Sequence, residues 1–124
     1  MTAASGDKHL AVLVTTGPYQ GRVARSELDF ALTAVSLDFR VEVYFLGNAL
    51  LQLATARDPA PALLPSGYRG WAALPELGDA HFFAERDGLA RCRDLAIELV
   101  APVTGLGPQD MRQAWRRCRY SVLL

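Results

Sequence analysis

At 124 residues the chain has room for one core and not for two, and a domain of that length buries roughly two thirds of the surface its unfolded chain exposes. With 51% hydrophobic residues and 13 basic side chains balanced by 13 acidic ones, it is no disordered chain, and it carries no global charge that would attract nucleic acid or an anionic membrane. Its two cysteines, Cys92 and Cys118, stand outside any CxxC spacing, which points away from a disulfide framework or zinc motif and towards a reducing compartment.

The N-terminus "MTAASGDKH" lacks the charged and apolar regions of a signal peptide, and no apolar run approaches the roughly 20 residues that span a bilayer. A soluble, cytoplasmic protein is expected, with residues 1–8 as a flexible start to a single domain covering 1–124. "HLAVLVTT", His9 to Thr16, is a nearly continuous apolar run stopped by Gly17 and Pro18, as in a strand buried on both faces of a parallel sheet. Ala24, Leu28, Ala31, Leu32 and Val35 then recur at helical spacing, and "RVEVYFLG", Arg40 to Gly47, is β-branched, aromatic and closed by glycine. Strand, helix, strand at this spacing predicts a βαβ unit with parallel strands.

"NALLQLAT" predicts a short helix, and the proline-rich "ARDPAPALLPSG" a long surface loop. Tyr68 to Leu77 predicts one or two helical turns interrupted before Pro75. "AHFFAE" predicts a third strand, "DGLARCRD" a brief helix, and "LAIELVAP" a fourth strand stopped by Pro102. "GLGPQDMRQAWRRC" predicts a helix with Pro108 in its first turn and arginines in its last, and "YSVLL" a terminal fifth strand. The alternation predicts a three-layer α/β/α domain with a mostly parallel sheet of about five strands.

The turn after the first strand is where an open α/β sheet usually takes ligands. "TTGPYQG" holds neither GxGxxG nor GxxxxGK[ST], so the Gly17–Gly21 loop as a small-ligand or nucleotide site rests on its position alone. His9 looks like a flank of the first strand, and His81, at the start of the third, has no serine or cysteine that can be placed beside it for acid–base work. Two histidines and two cysteines at unrelated spacings make no metal signature and imply no cofactor. Arg112, Arg116, Arg117 and Arg119 read as a solvated helix end before they read as an RNA contact. Leu50, Leu51, Leu53, Tyr68, Trp71 and Leu74 read equally well as core or as a subunit interface.

Thiol chemistry is the remaining candidate. Cys92 lies between Arg91 and Arg93, which favour a thiolate, but at the end of a short helical segment where the dipole does not help. Cys118, at the predicted end of the last helix, is disfavoured as a thiolate and reads as structural.

The order of these elements, with "LAVLVTTGPYQGRVARSELDFALTAVSLDFRVEVYFLGNALLQL", "LPELGDAHFFAERDGLARC" and "YSVLL", resembles the DsrE/DsrF/DsrH superfamily of sulfur-relay proteins, most closely its DsrF/TusC branch. The resemblance implies a cytoplasmic hetero-oligomer with DsrE/TusD-like and DsrH/TusB-like partners that passes persulfide sulfur. Its destination is 2-thiouridine at the tRNA wobble position in the Tus version, with tRNA met only indirectly, or dissimilatory sulfur oxidation in the Dsr version. In sulfur-carrying relatives the cysteine lies where the third strand enters the next helix, and by register that place falls at Phe83-Ala84 here, with no thiol. The resemblance therefore implies a noncatalytic subunit, and Cys92 stands only as an alternative persulfide carrier.

Overall fold

A computed structural model of the chain describes residues 9–15, 21–54, 67–118 and 120–123, with side chains described over 9–15, 27–54 and 70–118. Strand β1 (His9–Val14) is followed by α1 (Gly21–Ser36), β2 (Arg40–Phe45), a 3-10 helix (Gly47–Leu53) and α2 (Gly67–Leu77). Then come β3 (Ala80–Glu85), α3 (Arg86–Asp94), β4 (Thr104–Leu106), α4 (Pro108–Arg117) and β5 (Tyr120–Leu123). The sheet has five strands in the order β4-β3-β2-β1-β5, and each neighbouring pair is parallel.

That order fixes the layers. Each crossover from β1 through β4 steps the same way along the sheet, and the last returns past β1 to its far side. Since such crossovers are right-handed, α1, α2 and α3 fall on one face and α4 on the other. The one core, divided by the sheet into a first and larger half and a second under α4, agrees. Leu10, Val12, Val14, Val41, Val43, Phe45, Phe82 and Ala84 pack with residues of α1, α2, α3 and the 3-10 helix, whereas Ala11 and Tyr44 pack with Met111 and Ala114 of α4. Alternation along β2 thus sends Val41, Val43 and Phe45 one way and Arg40, Glu42 and Tyr44 the other. No described helix is long and apolar enough to cross a membrane.

The α/β architecture with a parallel sheet is as the sequence pattern indicates, and two elements differ from it. "LAIELVAP" is not the fourth strand. The chain leaves α3 through Ala96, whose φ is +56°, with Ala96 N–H donating to the Arg93 carbonyl at 3.1 Å and Ile97 N–H to that of Cys92 at 2.9 Å. This left-handed exit turns the backbone out of any strand path. Leu99 then makes a lone antiparallel bridge to Ala54, and the apolar side chains of Ile97, Leu99 and Val100 serve as a lid on the first half of the core. The strand itself lies beyond Pro102, at Thr104–Leu106.

The second difference is α2, which runs through Pro75 to Leu77. Pro75 removes one backbone donor near the helix end, and the complete burial of Trp71 and Leu74 just before it outweighs that loss. The expected flexible stretch 1–8 and the expected loop residues 56–66 lie outside the described residues.

Ala96 also supplies a test. An L-residue in the left-handed region is strained, whereas glycine adopts it freely. Ala96→Gly is expected to raise unfolding stability by about 0.5–1 kcal/mol, read as a higher urea midpoint at unchanged m.

Candidate functional site

In the interior of central strand β2, Glu42 is 2% exposed and Tyr44 is fully buried. A carboxylate can sit there only if its oxygens are hydrogen-bonded. His9 Nε2 lies 2.6 Å from Glu42 Oε2, and Arg40 Nε lies 3.5 Å from the same oxygen. The Tyr44 hydroxyl donates to Oε1 at 2.5 Å, and the Cys118 thiol approaches that oxygen at 3.7 Å. Elements far apart in the chain bring this about: parallel register sets His9 of β1 opposite Arg40 of β2, and α4 lays its last turn across the same face.

Arg40 Nε also donates to His9 Nε2 at 2.8 Å. One ring nitrogen serves one of these partners at a time: protonated, it donates to Glu42; unprotonated, it accepts from Arg40. The network continues to the surface, where Arg40 Nη1 is 3.4 Å from Asp79 Oδ1 and His81 Nε2 is 2.7 Å from that atom. His81 thus pairs with an exposed carboxylate on its own strand's approach.

Burial pushes the Glu42 carboxyl up, but hydrogen bonds from Tyr44 and His9 and the charges of His9 and Arg40 outweigh it, so the acid ends below its ordinary value of 4.5. A depressed carboxyl stabilises the fold above its unfolded value and ceases to do so as pH falls through the folded one. Stability is therefore expected to fall on acidification below about pH 4.5. Glu42→Gln should flatten that limb, as followed by urea unfolding at stepped pH.

Neither thiol is poised for attack. Cys118, capping the C-terminal end of α4, is pushed up to about 12 by burial and then by the Glu42 charge and hydrogen bond, against Arg117 and Arg40. Cys92 points from α3 into the first half of the core at 6% exposure; burial raises it and Arg91 opposes only in part. Arg91 and Arg93, whose flanking positions suggested activation, are exposed.

The strand-to-helix junction falls at Glu85–Arg86, one or two residues past the expected Phe83-Ala84, which are still within β3: the Phe83 ring stacks on Tyr44 with centroids 4.9 Å apart, and Ala84 is 1% exposed. Glu85 leads into α3, and its Oε1 accepts a hydrogen bond from Gly47 N–H at 2.7 Å. No residue from Ala80 to Ala90 carries a thiol. Leu50, Leu53, Trp71 and Leu74 are core, at 2% exposure or less, and Leu51 is half-buried against them. Arg112, Arg116 and Arg117 are exposed on the outer side of α4. Gly17 to Gln20 of the Gly17–Gly21 loop, the Tyr68 side chain and Arg119 lie outside the described residues.

The His9–Glu42–Cys118 grouping has no local signature, since its members are 33 and 76 positions from Glu42. The one available signal is a glutamate between Val41 and Val43, inside the strand "RVEVYF" whose residues after Arg40 are otherwise hydrophobic.

A family description, DsrE/DsrF-like family, matches residues 8–121. Among solved structures, the chain is similar to the crystal structure of ychN protein from E. coli, with a TM-score of 0.78 and 8% sequence identity. The match covers 94% of this chain and 99% of that one. At such identity the likeness is one of fold.

Proposed function

The chain belongs to the DsrE/DsrF-like family, and from that premise we propose that it is a noncatalytic, TusC-like subunit of a cytoplasmic persulfide-relay complex serving 2-thiouridine formation on tRNA. The observation that carries this reading is the turn from β3 into α3. A relay needs a thiolate that accepts sulfur and presents it to the next cysteine. Here β3 ends on Phe83, Ala84 and Glu85, and Arg86 opens α3, so no thiol stands where a thiolate would gain from the helix N-terminus.

Both cysteines sit elsewhere and favour the protonated form. The chain's role in the relay is then to complete an assembly whose sulfur is carried by a DsrE/TusD-like partner, alongside a DsrH/TusB-like one.

Co-expression with DsrE-like and DsrH-like chains encoded nearby tests the assembly. A stoichiometric complex is expected, and a lone monomer that binds neither neighbour would overturn the reading. After exposure to a persulfide donor, mass spectrometry is expected to find the added sulfur on the partner. Sulfur transfer that fails in Cys92→Ser would instead make Cys92 the carrier. Deleting the gene is expected to lower wobble 2-thiouridine; an unchanged level with impaired growth on reduced sulfur would assign the complex to sulfur oxidation.

A further inference from the structure

We propose that His9, Glu42 and Cys118 form a binding site for a thiophilic divalent cation of the Zn2+ class. An imidazole nitrogen, a carboxylate oxygen and a sulfur reach one point from β1, β2 and the end of α4, with all three donor atoms within 4.8 Å of one another. These are the donor types zinc accepts, at bond lengths of about 2.0–2.3 Å, which place neighbouring donors about 3.3–3.8 Å apart in a tetrahedral shell. Cys118 Sγ and Glu42 Oε1 already stand at 3.7 Å, and the 2.6 Å approach of His9 to Glu42 needs only to open as a cation takes the place of the proton between them.

The surroundings suit such a site. Tyr44 donates to Glu42 Oε1 from a fully buried position, which orients the carboxylate as second partners of metal ligands do. Three protein donors leave a fourth position for water. His9, at 19% side-chain exposure, marks the entry side. Arg40 is the opposing group, its Nε 2.8 Å from the nitrogen that would bind the ion. Its side chain is 38% exposed and already reaches Asp79 at 3.4 Å, so the guanidinium has another carboxylate to turn to when a cation enters.

Binding is balanced without oxidant or reductant. Glu42 enters as carboxylate; the proton between His9 Nε2 and Glu42 passes to Nδ1, or to solvent where Nδ1 already carries one, which frees the Nε2 lone pair; and the Cys118 S–H bond is replaced by a sulfur–metal bond, its proton going to solvent. The site does not depend on the relay reading, and either can fail alone.

The test is titration of the metal-free chain with Co2+, followed by Zn2+, the metals alone being the probes. One Co2+ per chain is expected, with an intense near-ultraviolet thiolate-to-cobalt absorption that Zn2+ removes. That absorption should vanish in Cys118→Ser, persist in Cys92→Ser, and require at least tenfold more metal in His9→Ala. Arg40→Ala, which removes the competing cation, should bind severalfold more tightly. If Cys118→Ser does not fold, as judged by circular dichroism, His9→Ala decides. No sulfur-to-cobalt band in the wild-type chain, a band that survives Cys118→Ser, or unchanged affinity in His9→Ala would overturn the proposal.

Discussion

Trp71→Ala is expected to lower unfolding stability by about 3–5 kcal/mol, the usual range for deleting a large buried aromatic side chain. The indole is fully buried between α2 and the sheet, edge-on to Phe45 at 5.0 Å and to Phe82 at 6.2 Å, and those two rings are edge-on to each other at 5.7 Å. Each edge-to-face pair adds roughly 0.5–1.5 kcal/mol beyond area burial, so truncation removes favourable geometry as well as contact area. The polar end is held too: Nε1–H donates to Gln52 Oε1 at 2.9 Å, and Gln52 Nε2 donates to Glu27 Oε1 at 3.2 Å, both partners being buried. The matched control is Leu77→Ala, on the same helix but 65% exposed, expected within about 0.5 kcal/mol of wild type. Equal urea midpoints for the two variants would mean that α2 is not packed as described.

The second large effect belongs to Glu42. Glu42→Ala is expected to cost about 2–4 kcal/mol, because it leaves the Tyr44 hydroxyl buried without its acceptor and opens space beneath α4. The informative comparison is Glu42→Leu combined with Tyr44→Phe. Replacing both ends of a buried polar pair with apolar groups of similar size is often near neutral, so the double variant should recover most of what Glu42→Leu alone loses. A double variant no more stable than the single one would show that the Tyr44–Glu42 bond is not the source of the cost. Urea titration of the four proteins at neutral pH closes the cycle.

Much of the fold was legible because its strands announce themselves. "HLAVLV", "RVEVYF" and "AHFFAE" are dense in residues suited to a sheet covered on both sides, and all three occupy the expected places. The misread segments share a cause. "LAIELVAP" is apolar because it covers a core, not because it extends, and apolarity alone does not separate those uses over so short a run. Local preference puts a helix break before Pro75, and the packing of Trp71 and Leu74 overrides it. In the sequence His9 looks like a flank because its partner lies on another strand, and only parallel register brings the two together.

The place of β5 has a consequence for how the chain is made. β1 lies between β2 and β5, pairing Leu10 with Tyr120 and Leu13 with Leu123. Its hydrogen bonds to β2 become available early on the ribosome, but its other edge stays unpaired until Tyr120–Leu123 has emerged from the exit tunnel. Throughout that interval the nascent sheet presents an open backbone edge beside Ala11 and Leu13, the condition that favours pairing with a wrong chain. Closing it pairs Leu10 with Tyr120, 110 positions further on, so β5 docking is the most non-local strand pairing of the described sheet and carries its largest loop-closure cost.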